Sequence, residues 1–181
     1  DEVVRGGIPR DRITVIPHFV TDPGIPAPAG TRARTLVYAG RLSEEKGIAV
    51  AVEAWSRATV PAGSSFVIVG EGPLHDELAA RAVPGVHLFG RRPHAEVAEL
   101  LDASRLAVVP SVWNEPFGLF VLEAMAAGIG VIATAAGGAP EFLAEGAGWL
   151  VPPGDADALA ERIGDLMSDD ADAEVHAAGV A

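Results

Sequence analysis

Two carboxylates, Glu115 and Glu123, stand with seven residues between them in the stretch NEPFGLFVLEAMAAGIGVIAT, Asn114 to Thr134. The first lies in the turn-rich run Asn-Glu-Pro-Phe-Gly, and the second falls inside a continuous helical pattern that starts near Gly118. A helix start presents N–H groups that have no intrahelical acceptor, and such an end attracts anions. A glycine there lets a phosphate approach the backbone closely. A carboxylate next to such a site repels phosphate, so the partners that suit it are hydroxyls. A ligand combining phosphates with sugar hydroxyls meets both demands. Leu119, Leu122, Met125 and Ala126 recur at helical spacing and are expected to form the inward face of this helix.

An anionic ligand also needs cations, and the chain has few: 13 Lys and Arg against 25 Asp and Glu, a net charge of −12. Arg41 and Lys46 lie together in GRLSEEKG, Gly40 to Gly47. They read either as a clamp on a diphosphate or as surface charges, with Lys46 paired to Glu44 or solvated. FGRRPH, Phe89 to His94, adds Arg91 and Arg92, one of them facing a ligand or both in solvent, while His94 reads as a capping or surface residue. GEGP, Gly70 to Pro73, either admits a ligand close to the backbone or simply turns the chain. Ser111, Trp113 and Asn114 fall beside Glu115, and after Gly137-Gly138 comes Glu141, which either complements a helix dipole or meets the ligand. Two Asp-x-Asp pairs, at Asp155 and Asp170, are not read as metal sites: Asp155 follows Pro-Pro-Gly as a helix N-cap, and Asp170 lies in an acidic tail.

These loops require a scaffold, and the pattern supplies strands alternating with helices. A strand is expected at Ile13 to Pro17, followed by a Pro- and Gly-rich connection, Thr21 to Gly30. Further strands are expected at Thr35–Ala39, Phe66–Val69, Val86–Phe89, Leu106–Val109, Val131–Ala133 and Trp149–Val151. Helices fall between them at about Glu45–Ala58, Leu74–Ala82, Ala95–Ala103, the stretch from Gly118, Pro140–Ala144 and Ala156–Met167. This alternation predicts an α/β fold, a doubly wound, Rossmann-like parallel sheet. The ligand then lies outside the carboxyl ends of the strands, where the loops just described are found.

Composition narrows the function. At 181 residues, 49% hydrophobic and 21% charged, the chain is of ordinary domain size. The absence of cysteine excludes disulfides and thiolate chemistry. The acidic balance argues against nucleic acid, whose backbone demands clustered Lys and Arg. No window has the roughly 20 apolar residues of a spanning helix, and DEVVRGG is no signal peptide, so a cytoplasmic protein is expected.

With the loops placed, the chain resembles the C-terminal, donor-binding domain of retaining GT-B glycosyltransferases, glycosyltransferase family 4. The resemblance runs in order through VIPHFV, LVYAGRLSEEKGIAVAVEAW, FVIVGEGPL, VHLFG, VPSVWNEPFGLFVLEAMAAGIGVIAT, GGAPEFL and GWLVPPGDADALAERI. It implies that residues 1–30 form a hinge-side segment and 31–181 a nucleotide-sugar binding domain, one half of a GT-B fold. Arg41 and Lys46 would hold the donor diphosphate and stabilise it as it departs, while Glu115 would contact the sugar hydroxyls and Glu123 the ribose. Amides around Gly118, Leu119 and Phe120 would meet the phosphates or sugar, with Phe117 and Gly40 beside them. Phe89, Gly90 and Arg91 would lie by the base, and Gly72 and Leu74 would line the pocket. No metal or other cofactor is implied, and neither glutamate is implied as a nucleophile. His18 and Phe19 stand where relatives often have Asn-Gly. The resemblance extends neither to the family's N-terminal acceptor domain nor to its usual closing helix, so the domain alone is expected to be inactive, with any contact to a membrane in that other half. The alternative function is a non-catalytic nucleotide-sugar sensor or subunit. A related epimerase or phosphorylase comes third, and a redox Rossmann domain last, since no strand is followed by G-x-G-x-x-G.

Overall fold

The computed structural model describes residues 2–14, 32–115, 118–143 and 148–168. After a four-residue helix, α1 (Glu2–Arg5), strands and helices alternate: β1 (Ala33–Ala39), α2 (Ile48–Arg57), β2 (Ser65–Val69), α3 (His75–Arg81), β3 (Val86–Gly90) and α4 (His94–Ala103). They continue as β4 (Ser104–Val109), α5 (Leu119–Ala126), β5 (Gly130–Thr134), α6 (Ala139–Phe142), β6 (Trp149–Val151) and α7 (Ala156–Ser168). Among the described residues all six strands pair in parallel, in the order β3-β2-β1-β4-β5-β6. The expected Rossmann-like sheet is therefore present. The expected strand Ile13–Pro17 falls mostly outside the described residues, and Ile13 and Thr14 belong to no strand.

The strands are apolar on both faces because both are covered. Leu36, Tyr38, Phe66, Ile68, Leu106, Val108 and Ile132 point to one side, where α2 and α7 pack with Ile48, Val52, Trp55, Leu159 and Ile163. Val37, Val67, Ala107 and Val131 alternate to the other side, against Val97 and Leu101 of α4 and Val121 and Ala124 of α5. Among the described residues no helix is long and apolar enough to cross a membrane.

Two expectations are corrected. The helix expected from Glu45 begins at Ile48, because Glu44–Lys46 form a 3₁₀ turn that ends on Gly47 in the left-handed region (φ 66°). A Cβ at Gly47 would lie 1.8 Å from the Pro110 carbonyl oxygen, so the approach of β4's exit loop, invisible in local sequence, sets this break. The inward face of α5 is also different: Val121 and Ala124 are buried, whereas Leu119 is 47% exposed. Apart from Glu123 every residue of this helix is apolar, so spacing alone offers more than one stripe. The smaller Val121 and Ala124 let the helix sit close to the sheet, and Leu119 lies in its first turn with much of its side chain in solvent.

The far end of α5 is held by Arg32, whose guanidinium donates to the carbonyls of Gly128 (2.6 Å) and Ala127 (2.7 Å). Burial lowers the Arg32 pKa while Asp102 raises it, and the first effect is the larger. A cation at a helix C-terminus also complements the dipole. Arg32→Ala is expected to cost about 2–3 kcal/mol, since it removes two charge-assisted bonds and leaves the carbonyls unpaired. Arg32→Lys should recover only part of this, because a single ammonium cannot reproduce the two-pronged geometry. Thermal and urea unfolding of the three proteins would check it.

Candidate active site

In this strand order the direction of winding reverses between β1 and β4, and ligands of open α/β sheets bind at that crevice. The loop after β1 carries Arg41 and Lys46, and the loop after β4 carries Ser111 and Glu115. The fold brings the two loops into contact: the Lys46 ammonium pairs with Glu115 Oε2, across 69 positions of sequence. Lys46 therefore pairs with Glu115 and not with Glu44. Its Nζ also sits 5.9 Å from the centre of the Trp113 ring.

Glu115 is held from every side. Its carboxylate accepts from Ser111 Oγ at 3.1 Å, its N–H donates to the Trp113 carbonyl at 2.8 Å, and its own carbonyl accepts from Gly138 N–H at 2.9 Å. Buried Thr134, at the end of β5, donates its hydroxyl to the Ser111 carbonyl and so fixes the residue that fixes Glu115. The Lys46 loop is braced likewise: Glu45 carbonyl accepts from Val112 N–H (3.0 Å), and Ser43 Oγ donates to Glu45 Oε1 (2.7 Å), which lowers the Glu45 pKa. Tyr38 lies beneath the loop and donates its phenol to the Arg41 carbonyl at 2.7 Å. Burial first, then the charges of Glu115 and Glu45, hold that phenol above the usual tyrosine range, so it stays a donor. Thr134 and Tyr38 escape sequence reasoning; the one available signal is for Thr134, a lone hydroxyl at the end of the otherwise apolar β5, whereas Tyr38 shares β1 with Arg34 and Thr35. Ser111→Ala should weaken binding of a sugar-bearing ligand by about 1 kcal/mol, the worth of one hydrogen bond that aims Glu115. Calorimetry with and without the sugar would separate that loss from any effect on the nucleotide.

Beside this cluster a cavity of about 440 Å³ opens over the ends of β1 and β2, lined by Ala39, Gly40, Arg41, Val69, Gly70, Glu71, Arg91, Arg92 and Val97. Its size suits a small-molecule site. Three guanidinium groups and one carboxylate line it, an excess of positive charge in an acidic chain. A second cavity of about 470 Å³ lies between α2 and α7, but Asp157, Glu161 and Asp165 line it with Arg57, and its walls are helices instead of the strand-end loops. Location and charge both favour the first. Arg41 is exposed, and its guanidinium has no hydrogen-bond or ion-pair partner among the described residues. Phe89 is exposed, with the Arg92 guanidinium 5.7 Å from its ring centre, and Gly90 accepts from Gly70 N–H at 2.9 Å. Gly72 and Leu74 are not among the lining residues: Leu74 N–H bonds the Leu42 carbonyl at 3.0 Å, and a Cβ at Gly72 would lie 2.3 Å from the same oxygen. These two residues tie the β2–α3 loop to the β1–α2 loop, and the glycines of GEGP approach backbone.

Gly118 caps α5 in the left-handed region (φ 64°), and the first-turn amides of Leu119 and Phe120 have no acceptor within the helix. Phe117 lies outside the described residues. Glu123, one turn on, accepts from His94 Nε2 at 3.1 Å, so the exposed His94 is more than a surface residue. Asp155 caps α7 as expected, taking the Ala158 N–H at 2.9 Å.

This geometry has relatives. Residues 33–169 match the family model described as glycosyl transferases group 1. The chain is 36% identical over 158 residues to glycogen synthase of Mycobacterium tuberculosis, covering 81% of this chain and 38% of that protein. It is 33% identical over 144 residues to the amylovoran biosynthesis glycosyltransferase AmsK of Erwinia amylovora, covering 73% of this chain and 35% of that one. Anabaena Alr3699/HepE, crystallised in complex with UDP and glucose, superposes with a TM-score of 0.73 at 26% identity, covering 84% of this chain and 43% of that chain. The chain thus spans less than half the length of these relatives. A model match over most of its residues, on a sheet whose strand-end loops gather these charges, places it: the chain belongs to the group 1 glycosyl transferases.

Proposed function

We propose that this chain is the donor-binding domain of a retaining, family 4 glycosyltransferase, which moves a sugar from a nucleoside diphosphate sugar to an acceptor held by a separate N-terminal domain. The observation that carries this reading is the Lys46–Glu115 pair at the sheet's crossover point, flanked by the basic cavity and by the start of α5. The nucleoside occupies the cavity near Phe89, Gly90 and Arg91, its ribose hydroxyls reaching Glu123. The diphosphate lies between Arg41, Lys46 and the amides of Leu119 and Phe120. The sugar extends to Glu115, whose fixed carboxylate accepts from its hydroxyls. As the glycosidic bond breaks, negative charge grows on the diphosphate, and Arg41 and Lys46 oppose it, which lowers the barrier where charge develops. The acceptor then enters on the face the diphosphate leaves, with the diphosphate oxygen taking its proton, so configuration is retained without a protein nucleophile. Two cations already meet the charge, so no metal is invoked. The domain alone binds but does not transfer, and the whole protein works in the cytoplasm.

Calorimetric titration of this chain with UDP, ADP, GDP and dTDP, with and without magnesium, tests it. Binding of one nucleotide that survives chelation is expected. Failure of all four, here and in the full-length protein, would overturn the donor-site reading. Binding without transfer by the full-length protein would instead favour a nucleotide-sugar sensor.

A further inference from the structure

His94 is the first residue of α4, and Val97 and Leu101 of the same helix are buried against the second face of the sheet. Spacings of three and seven residues place His94 on the same stripe, prolonged beyond the buried part of the helix. The side chain is 79% exposed, so neither packing nor burial explains its orientation; its one hydrogen-bond partner among the described residues is Glu123 Oε1 at 3.1 Å. Glu123 is 24% exposed, on the neighbouring helix of the same layer. Since a carboxylate only accepts, Nε2 carries the hydrogen of this bond.

We infer that His94 is a positioning residue for the nucleoside: it clamps one oxygen of Glu123 so that the other meets the ribose hydroxyls. This rests on the donor-site reading above, in which Glu123 takes the ribose. A carboxylate has about four lone-pair directions, so one bond to His94 leaves acceptor capacity for both hydroxyls of a vicinal diol. A glutamate on a helix surface otherwise samples several rotamers, and ordering it on binding subtracts from affinity. The imidazole imposes that order beforehand. Its contact is with Glu123, so its effect is confined to the hydroxyls that Glu123 takes.

The test is calorimetry of this chain with UDP, ADP and GDP, each beside its 2′,3′-dideoxy form. The wild-type chain should prefer the hydroxylated form of whichever nucleotide binds, and Glu123→Ala should erase the preference. His94→Ala should weaken the hydroxylated form by roughly threefold to tenfold, the effect of re-ordering one mobile side chain, and leave the dideoxy form unchanged. His94→Gln, whose amide also donates, should restore most of the loss, which a loosened helix end would not. An unaltered preference in His94→Ala, with wild-type discrimination intact, would overturn the role of His94 alone. A wild-type chain that ignores the hydroxyls would overturn the assignment of Glu123 and His94 with it. His94 is exposed, so both variants are expected to melt as the wild type does.

Discussion

Lys46→Ala is expected to weaken nucleoside diphosphate binding by more than the loss of one charged hydrogen bond, which is about 1.5–3 kcal/mol, or roughly 10- to 150-fold. The excess comes from Glu115. In the free site its carboxylate is paired with Lys46, and only Ser111 would remain to it after the substitution. A half-shielded negative charge would then face the incoming diphosphate. Arg41→Ala, by contrast, removes a guanidinium that neutralises no carboxylate by direct contact, and should cost only the charged bond itself. The double variant Lys46→Ala/Glu115→Gln discriminates: it should regain part of the affinity lost in Lys46→Ala, because the stranded charge is gone. Titration with UDP, ADP and GDP checks the order of the four proteins. If Lys46→Ala and Arg41→Ala lose the same affinity and the double variant regains none, the ion pair has no part in binding.

The Lys46–Glu115 pairing also accounts for how two opposite charges would coexist at the proposed diphosphate site. Lys46 and Glu115 are each about a quarter exposed, so neither is fully hydrated and each lowers the other's cost of burial. On the proposed function, binding would exchange partners: phosphate would take the ammonium and sugar hydroxyls the carboxylate. A bare diphosphate satisfies only the first exchange and leaves Glu115 unmatched, whereas a sugar-linked diphosphate satisfies both. On that reading, preference for the conjugate is expected from the pair itself, without a separate sugar pocket.

Much of this was legible in the sequence because it is local. Short apolar runs such as LVYA and FVIV, bounded by turn residues, read as strands buried on both faces, and the longer run after Gly118 reads as a helix. The loops at the strand ends follow from parallel winding. What was not legible depends on contacts between loops. Nothing near Lys46 says that its partner is Glu115 instead of Glu44, since the choice is made by Gly47 packing on Pro110 and by the Val112–Glu45 bond. The buried face of α5 was hidden by a helix apolar everywhere but Glu123, and Tyr38 and Thr134 by strands in which one hydroxyl is unremarkable until its acceptor is known. His94 meets Glu123 only because α4 and α5 share one layer.

Those loop contacts make Gly137 a position where a single methyl should disturb the site directly. It has φ 58°, and a Cβ there would lie 2.0 Å from the Glu115 carbonyl oxygen and 2.5 Å from its nitrogen. Backbone, unlike a flexible side chain, cannot step aside without moving what it carries, and here it carries the carboxylate at the centre of the site. Gly137→Ala should therefore lower stability by about 2–4 kcal/mol, combining left-handed strain with the clash. The melting temperature should fall by about 5–15 °C. Gly154→Ala is the control: Gly154 has φ 77° with nothing within 4 Å of the added Cβ, so only the strain, about 1 kcal/mol, applies. Binding separates the two again. Gly154 lies at the start of α7 and its variant should bind nucleotide sugar as the wild type does, while Gly137→Ala should lose the preference for the sugar conjugate even below its melting temperature. Equal melting and equal binding in the two variants would mean that the Gly137–Glu115 contact relaxes freely, and that Ser111 and Lys46 alone aim the carboxylate.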